Sequence, residues 1–222
     1  MSKPMRHAAA ILLPFTLAFA MLGGCQKKAT SVGAPTSTAS SGGDIKFSPT
    51  GSVFKNTDVT GIDYARDFAL IDHTGKPRTL VDFRGKVVLV FFGYTQCPDV
   101  CPTTMSEMAA VMKQLGPRAD DVQVLFVTLD PARDTQALLA KYVPSFDVRF
   151  LGLRGDQAAT EKVAKDFKIF FQKVPGKNAG DYSIDHTAGS YVFDTQGRVR
   201  LFVRHGQGPE PIAHDLGILL RR

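Results

Sequence analysis

The sequence of 222 residues contains no tryptophan, only three cysteines and no internal repeat. Its formal net charge is +6, and the basic residues form no stripe with interleaved aromatic residues. A nucleic-acid-binding surface usually shows such a stripe, so we expect no nucleic-acid partner. The mild surplus of cations favours, at most, a weak attraction to acidic membrane surfaces or acidic partner proteins.

The sequence also lacks an apolar run long enough for an ordinary membrane-spanning helix. Its N-terminal apolar stretch, residues 8–22, has 15 residues and contains Pro14, whereas a spanning helix needs about 20 apolar residues. Lys3 and Arg6 precede this stretch without any acid, which is typical of a secretory signal peptide. We therefore expect an exported protein.

The apolar stretch ends in the residues LGGC, which resemble the lipobox of bacterial lipoproteins. In such proteins the cysteine, here Cys25, is lipidated and becomes the new N-terminus. The resemblance implies a signal peptide at residues 1–24 and a membrane-anchored lipoprotein that faces the periplasm or the cell exterior. The alternative is an ordinary signal peptide or an uncleaved anchor, with Cys25 incidental.

The segment after Cys25 is rich in Ser, Thr, Ala and Gly and poor in large apolar residues. This composition predicts a flexible tether at residues 25–43, which would hold the folded part roughly 25 Å from its anchor. Residues 44–222 then suit a single domain. Loss of residues 1–24 would lower the formal net charge from +6 to +4.

The hydrophobic pattern of residues 44–222 alternates between strands and helices. Apolar runs at 86–94 and 122–130, rich in β-branched and aromatic residues, predict central strands that are buried on both faces. The turn sequences HTGKP and DTQG predict hairpins at 67–83 and 189–203. Helices are predicted at 102–116, 134–143, 156–167 and 209–220, with Asp156 as the N-cap of the third.

This order of elements is that of thioredoxin-like folds. The predicted fold class is therefore α/β, a thioredoxin-like three-layer sandwich with a mixed central sheet, helices on both faces and an added N-terminal β-hairpin. Cys97 and Cys101 follow the first central strand, so they are expected where that strand leads into its helix.

Cys97 and Cys101 are four residues apart, and each precedes a proline. In a helical turn this spacing puts Cβ atoms roughly 5–6 Å apart, near the Cα separation of about 4.4–6.8 Å in disulfides. Pro102 suits the first helical position, which would leave both thiols in the loop at the positive end of the helix. That environment is expected to lower the pKa values of the thiols.

Three interpretations of the pair are open: a structural disulfide, a redox couple or a set of metal ligands. A structural disulfide would close a very short loop, and short loops gain little stability. Thioredoxin-type enzymes have two residues between their cysteines, usually after a tryptophan, and a cis-proline before the late strand. This sequence has three intervening residues, no tryptophan and, in the matching segment, His186. The reactive-cysteine motif of peroxiredoxins is also incomplete around Cys101.

Metal binding accounts for more residues at once. Two thiolates and one imidazole suit copper in either oxidation state, and they could also hold zinc. His186 lies just before the late strand SYVF, where a thioredoxin-like topology brings the chain opposite the cysteines.

Residues 68–220 resemble the SCO/SenC family of copper-binding, thioredoxin-like proteins. The resemblance rests on three motifs: FFGYTQCPDVCPTTM, VTLDPARDT and YSIDHTAGSYVFDTQGRV. It implies that Cys97, Cys101 and His186 bind one copper ion, as Cu(I) or Cu(II). It further implies help in assembling the copper centre of cytochrome c oxidase, by delivering copper or by reducing the cysteines of that centre.

The resemblance also implies partners and an anchor. The expected partners are the copper-bearing subunit of the oxidase and other copper chaperones or thiol reductants. Family members are tethered to a membrane, many by a spanning helix, so a lipid on Cys25 would be a departure in the anchor alone. We expect a metallochaperone rather than an enzyme, with a thiol–disulfide oxidoreductase as the alternative.

Other polar residues have weaker signals. Asp130 and Asp185 are candidates for carboxylates that support the metal ligands, although Asp130 could equally be a turn or capping residue. Met105, Met108 and Met112 have helical spacing and predict core packing, and His73, His205 and His214 are expected to be structural or exposed. Residues 170–186 predict a long mobile loop that would bring His186 to the thiolates when metal arrives.

Overall fold

The structure, a computed structural model, describes residues 53–178 and 180–221. The expected signal peptide at 1–24, the tether at 25–43 and the lipidated Cys25 lie outside these residues and stay predictions. The strands are β1 Thr57–Asp58, β2 Leu70–Asp72, β3 Pro77–Arg78, β4 Val87–Gly93, β5 Val122–Thr128, β6 Leu151–Arg154, β7 Phe171–Pro175, β8 Tyr182–His186, β9 Gly189–Phe193 and β10 Val199–Arg204. The α-helices are α1 Val100–Leu115, α2 Gln136–Tyr142, α3 Gln157–Asp166 and α4 Pro209–Leu219. Short 3-10 helices lie at Leu80–Phe83, Gly116–Asp121 and Val143–Ser145.

Within the described residues, eight strands form one mixed sheet in the order β1-β10-β9-β4-β5-β6-β2-β3. The two central strands, β4 and β5, run parallel, and β9 lies antiparallel on the other side of β4. Every residue of β4 and β5 is buried, which explains why both appear in the sequence as continuous apolar runs. The other two strands, β7 and β8, form a separate antiparallel hairpin.

Aromatic contacts show that helices cover both faces of the main sheet. Neighbouring residues of a strand point to opposite faces, so Phe91 and Phe92 mark the two faces of β4. The ring of Phe126, 6.0 Å from that of Phe91, lies 5.7 Å from Tyr142 at the end of α2. On the other face the Phe92 ring lies 5.2 Å from Phe167, the C-cap of α3. The expected α/β sandwich is confirmed.

Most of the predicted elements are confirmed, including the N-terminal hairpin β2–β3 and the N-cap Asp156, whose carboxylate accepts the Ala159 N–H at 2.8 Å. The start of the first helix was predicted wrongly. α1 begins at Val100, so Cys101 lies inside the first helical turn and Pro102 occupies the third helical position. The helix accommodates this proline because its first four N–H groups have no partner within the helix.

The long loop predicted at 170–186 is also wrong, because these residues contain the hairpin β7–β8. Phe171 pairs with His186 at the base of the hairpin and Pro175 with Tyr182 near its turn. Of its ten strand residues only Ile184 is buried. A strand pair with so little apolar surface has no clear alternation in sequence, which is why its pattern resembles a loop.

The ionisation of Asp72, in β2, makes the stability of the fold depend on pH. Its buried carboxylate accepts hydrogen bonds from the Arg78 guanidinium and from the hydroxyl and N–H of Thr74. Burial alone raises the pKa of Asp72, but these bonds outweigh it and lower the pKa from 3.8 to about 2. The ionised carboxylate therefore stabilises the fold above its unfolded pKa, and this stabilisation is lost as the pH falls towards 2.

We expect the free energy of unfolding to lose roughly 2 kcal/mol between pH 6 and pH 2 through Asp72 alone. Urea unfolding of the wild type and of Asp72→Asn at several pH values measures this contribution. The variant should be less stable at pH 6 and should lose less stability on acidification. Equal pH slopes for the two proteins would contradict the prediction.

Candidate metal centre

The candidate centre forms at the carboxyl end of β4, where the chain enters α1. The last residue of β4 is Gly93, and the Cys101 sulfur packs directly against it. A Cβ atom at Gly93 would lie only 2.8 Å from Cys101 Sγ. Cys101 is fully buried, whereas Cys97, in the preceding loop, is half-buried.

The two thiols are neighbours, and neither is in a disulfide. The backbone N–H of Cys101 donates to Cys97 Sγ at 3.4 Å. Burial raises the pKa of the Cys101 thiol, and the nearby charges of Cys97 and Asp134 act in the same direction. The lowered thiol pKa expected at the start of the helix is therefore wrong for Cys101, because loss of solvent outweighs the effect of the helix end. A buried thiol of this kind gives up its proton most readily in exchange for a cation.

The third predicted ligand, His186, comes from the end of β8, 85 positions beyond Cys101. Its Nε2 lies 3.8 Å from Cys101 Sγ. Its Nδ1 lies 3.1 Å from the carbonyl oxygen of Thr187, and a carbonyl only accepts hydrogen bonds. The ring must therefore carry its proton on Nδ1, which leaves the Nε2 lone pair facing the sulfur.

The surroundings of His186 keep the imidazole neutral. Burial lowers the pKa of His186, although the Thr187 carbonyl and the charge of Asp185 oppose this effect. The rings of Phe91 and Tyr94 meet the imidazole edge-on, with centroids 6.3 and 6.2 Å away. A neutral imidazole held between aromatic rings, with an unprotonated nitrogen beside a thiol, is in the form that binds metal ions.

The donor set fits a thiophilic metal ion. With metal–sulfur bonds of about 2.3 Å and metal–nitrogen bonds of about 2.0–2.1 Å, two ligands on one tetrahedral or trigonal ion lie roughly 3.5–3.8 Å apart. The 3.8 Å between Cys101 Sγ and His186 Nε2 meets this requirement. Across the part of the chain that the structure describes, no group of three or more His, Cys, Asp or Glu side chains is already assembled as a metal site. The observed geometry is therefore that of a thiol and an imidazole at ligand spacing, with a second thiol beside them.

The two predicted supporting carboxylates differ in position. Asp130 is fully buried, and its carboxylate accepts hydrogen bonds from the Tyr182 hydroxyl and from Arg133 Nε. Asp130 thus contacts the hairpin that carries His186 rather than the thiols. Asp185 is exposed, and it pairs with Gln172 across the hairpin.

A second fully buried carboxylate of this region, Asp134, was not among the predicted site residues. It accepts hydrogen bonds from the N–H and hydroxyl of Thr95, at 3.0 and 2.5 Å, and from the Thr128 hydroxyl at 2.6 Å. Asp134 therefore fixes the loop that leads to Cys97. The signal was the second acid of TLDPARDT, which lies just past a buried strand and was available in the sequence.

Within the described residues, the other histidines and the methionines have the structural positions expected of them. Met105, Met108 and Met112 are buried in the core. His73 Nδ1 accepts the N–H of Gly152 at 3.0 Å. The last two histidines bond to residues outside the thiol pair, His205 to Thr104 and His214 to Asp215.

Residues 57–221 of the chain match the family model described as SCO1/SenC. The chain belongs to the SCO1/SenC family. The matched region contains both thiols and His186, so the expected family is confirmed.

Known members of the SCO1/SenC family resemble the chain in sequence and in structure. The mitochondrial SCO2 homolog of Bos taurus is 37% identical over 152 residues, which is 68% of this chain and 57% of the bovine protein. The chain therefore spans just over half the length of that relative. The copper-bound structure of Bradyrhizobium japonicum ScoI is 43% identical and covers 69% of this chain and 98% of its own, with a TM-score of 0.64.

A more distant structure shows the same fold. BsSco, with 23% identity and a TM-score of 0.57, covers 75% of this chain and 98% of its own. That protein has a disulfide switch and is a member of the Sco family of cytochrome c oxidase assembly proteins.

Proposed function

We propose that this SCO1/SenC protein binds one copper ion through Cys97, Cys101 and His186 and serves the copper centre of cytochrome c oxidase, either by delivering copper or by preparing the site. The observation that carries the proposal is the 3.8 Å between Cys101 Sγ and the unprotonated Nε2 of His186. Sco proteins bind copper and take part in oxidase assembly, as copper-bound ScoI and BsSco illustrate.

Copper is the cargo in this proposal, and the residues of the chain do three things. The half-buried Cys97 meets the incoming ion, Cys101 exchanges its proton for the ion, and His186 supplies a neutral nitrogen without losing a proton. The ion then leaves by ligand exchange to a partner that offers thiolates and imidazoles, such as the copper-bearing subunit of the oxidase. Other copper chaperones or thiol reductants would load or reduce the protein.

Copper titration of the fully reduced protein tests the ligand set. Each of the variants Cys97→Ser, Cys101→Ser and His186→Ala should bind copper at least tenfold more weakly than wild type, a loss of about 1.4 kcal/mol or more. His205→Ala is the matched control, because it removes an imidazole that bonds to Thr104 instead. If His186→Ala bound copper as tightly as the control, His186 would not be a ligand.

A thiol–disulfide oxidoreductase is the second candidate, favoured by the two free thiols that touch through the Cys101 N–H. Oxidation of the pair would form one S–S bond and release two protons and two electrons to a disulfide of the client protein. Oxidase activity in a gene-deletion strain, with and without added copper, separates the candidates. The His186→Ala protein should fail to restore activity if copper delivery is the function, and should restore it if thiol exchange alone suffices.

We further propose that the protein is exported and anchored through a lipid on Cys25. The support is the basic N-terminus, the apolar residues 8–22 and the LGGC sequence. No helix within residues 53–178 and 180–221 is both long and apolar enough to cross a membrane. Cys25→Ser should move the protein from the membrane fraction to the soluble fraction of the cell envelope, and retention in the membrane would count against lipidation.

A further inference from the structure

The turn that follows β5, residues 130–134, touches both halves of the candidate metal centre. At its end Asp134 holds the loop of Cys97 through Thr95. At its start Asp130 and Arg133 reach across to Tyr182 on the hairpin that carries His186. One short segment is therefore bonded to the thiol side and to the imidazole side of the site.

Three residues, Asp130, Arg133 and Tyr182, are each bonded to the other two, and we name this group the latch. The Tyr182 hydroxyl donates to Asp130 Oδ1 at 2.7 Å, and Arg133 Nη1 donates to the Tyr182 carbonyl at 2.9 Å. Arg133 Nε donates to the other oxygen of the Asp130 carboxylate. The guanidinium also lies over the Tyr182 ring, 3.5 Å from its centroid, where a cation and an aromatic face attract each other.

The latch adds to the contacts that the hairpin already makes, such as the buried Ile184 and the packing of His186 against Phe91 and Tyr94. A two-stranded hairpin is at best marginally stable in water, and Ile184 is the one buried strand residue of β7 and β8. Tyr182 and His186 are four residues apart on β8, so their side chains point to the same face. Holding Tyr182 therefore orients the face that presents the imidazole.

The latch also contains a buried donor without an acceptor. Arg133 Nη2 is buried without a hydrogen-bond partner, and an unsatisfied buried donor costs free energy. This cost opposes the attractive contacts of the same side chain and lowers their net contribution to the closed position.

We propose that the latch is a positioning device for His186, and that it sets how fast copper leaves the site. The inference rests on the proposed function, because it takes His186 as a copper ligand. With the latch closed, the imidazole stays beside Cys101 and the ion is retained. With the latch open, the hairpin moves away, the ion keeps only its sulfur ligands, and a partner can take it. Arg133 and Tyr182 act through His186 and do not touch the ion.

Two conservative variants with matched controls test the latch. Tyr182→Phe removes the hydroxyl bonded to Asp130 and keeps the ring, whereas Tyr142→Phe removes a buried hydroxyl that has no partner. Arg133→Lys removes the fork that bonds Asp130 and Tyr182. Arg78→Lys is its control, because Arg78 also pairs with a fully buried aspartate and has a similar exposed fraction, 25% against 20%.

The first measurement is amide hydrogen exchange of the metal-free full chain. Each latch variant should speed exchange in β7 and β8 by about tenfold, as expected for a lost hydrogen bond to a charged group, and should leave β4 and β5 unchanged. The controls should leave the hairpin unchanged. Equal exchange of the hairpin amides in the wild type and in the latch variants would overturn the proposal without bearing on copper binding.

The second measurement is the rate at which the copper-loaded chain releases Cu(I) to an excess of a Cu(I) chelator. Latch variants should release it about tenfold faster than wild type and controls, with an altered thiolate-to-copper charge-transfer band in the Cu(II) form. Fast hairpin exchange with unchanged release and an unchanged band would overturn the proposal. If His186→Ala also released copper at the wild-type rate, the failure would lie with the proposed ligand set instead.

Discussion

Replacing Asp134 with alanine is expected to lower the free energy of unfolding by about 3–5 kcal/mol, as is typical when a buried hydrogen-bond network loses one partner. The variant leaves three donors without their acceptor: the N–H and hydroxyl of Thr95 and the hydroxyl of Thr128. Asp134 is fully buried, so water does not easily replace the carboxylate. Urea unfolding, monitored by far-UV circular dichroism, measures the loss.

Asp134→Asn is the matched control for this prediction. The amide oxygen can accept from the Thr95 N–H and the Thr128 hydroxyl, while the amide nitrogen donates to the Thr95 hydroxyl. We therefore expect Asp134→Asn to cost about 1 kcal/mol or less, since most of the hydrogen bonds are kept. Similar losses in both variants would show that the charge of Asp134 matters rather than its hydrogen bonds.

Replacing Gly93 with alanine should disturb the thiol side of the site directly. The new Cβ would lie 2.8 Å from Cys101 Sγ, 3.0 Å from a Phe91 ring carbon and 3.1 Å from a Phe126 ring carbon. Real Cβ atoms do not come as close as 2.8 Å, so the sulfur must shift, and the two rings must give by a few tenths of an ångström. We expect a loss of about 1–3 kcal/mol in stability, as for other overpacked cores, together with weaker copper binding because Cys101 is displaced.

Gly217→Ala provides the comparison for Gly93→Ala. Gly217 lies within α4, and the nearest atom to a Cβ there is the Arg118 Nη1 at 3.5 Å, an ordinary contact. Alanine is the better helix former, so this variant should be neutral or slightly stabilising. The double variant Gly93→Ala/Cys101→Ala should recover part of the lost stability. A fully stable Gly93→Ala protein with wild-type copper affinity would contradict the packing argument.

The elements that the sequence predicted well are those with strong local signals. β4 and β5 are runs of large apolar residues, and α3 begins at an N-cap aspartate, so burial and capping chemistry are visible in the residues themselves. The hairpin β7–β8 was missed because it has one buried strand residue, Ile184, and lies against the domain through the latch. Contacts between distant segments, such as that of Tyr182 with Asp130, leave no local pattern.

The candidate site divides in the same way. The sequence predicted that Cys97, Cys101 and His186 belong together, and the structure brings Cys101 and His186 within 3.8 Å. The predicted direction of the pKa shift of the Cys101 thiol was wrong, because the helix end is visible in the sequence but the depth of burial is not. Asp134 was overlooked for a related reason. Its hydrogen bonds with Thr95 and Thr128 exist only in the folded chain, so the sequence shows it as an ordinary acid in a turn.

The two sulfurs are buried to different depths, which sets the order in which they can react. Cys97 is half-buried, whereas Cys101 is fully buried against Gly93. A visiting thiol, an alkylating reagent or a carrier protein arriving from solvent can collide only with the outer sulfur, and the inner one must act second. Any mixed disulfide or shared-copper intermediate should therefore form on Cys97, with Cys101 as the residue that displaces the visitor.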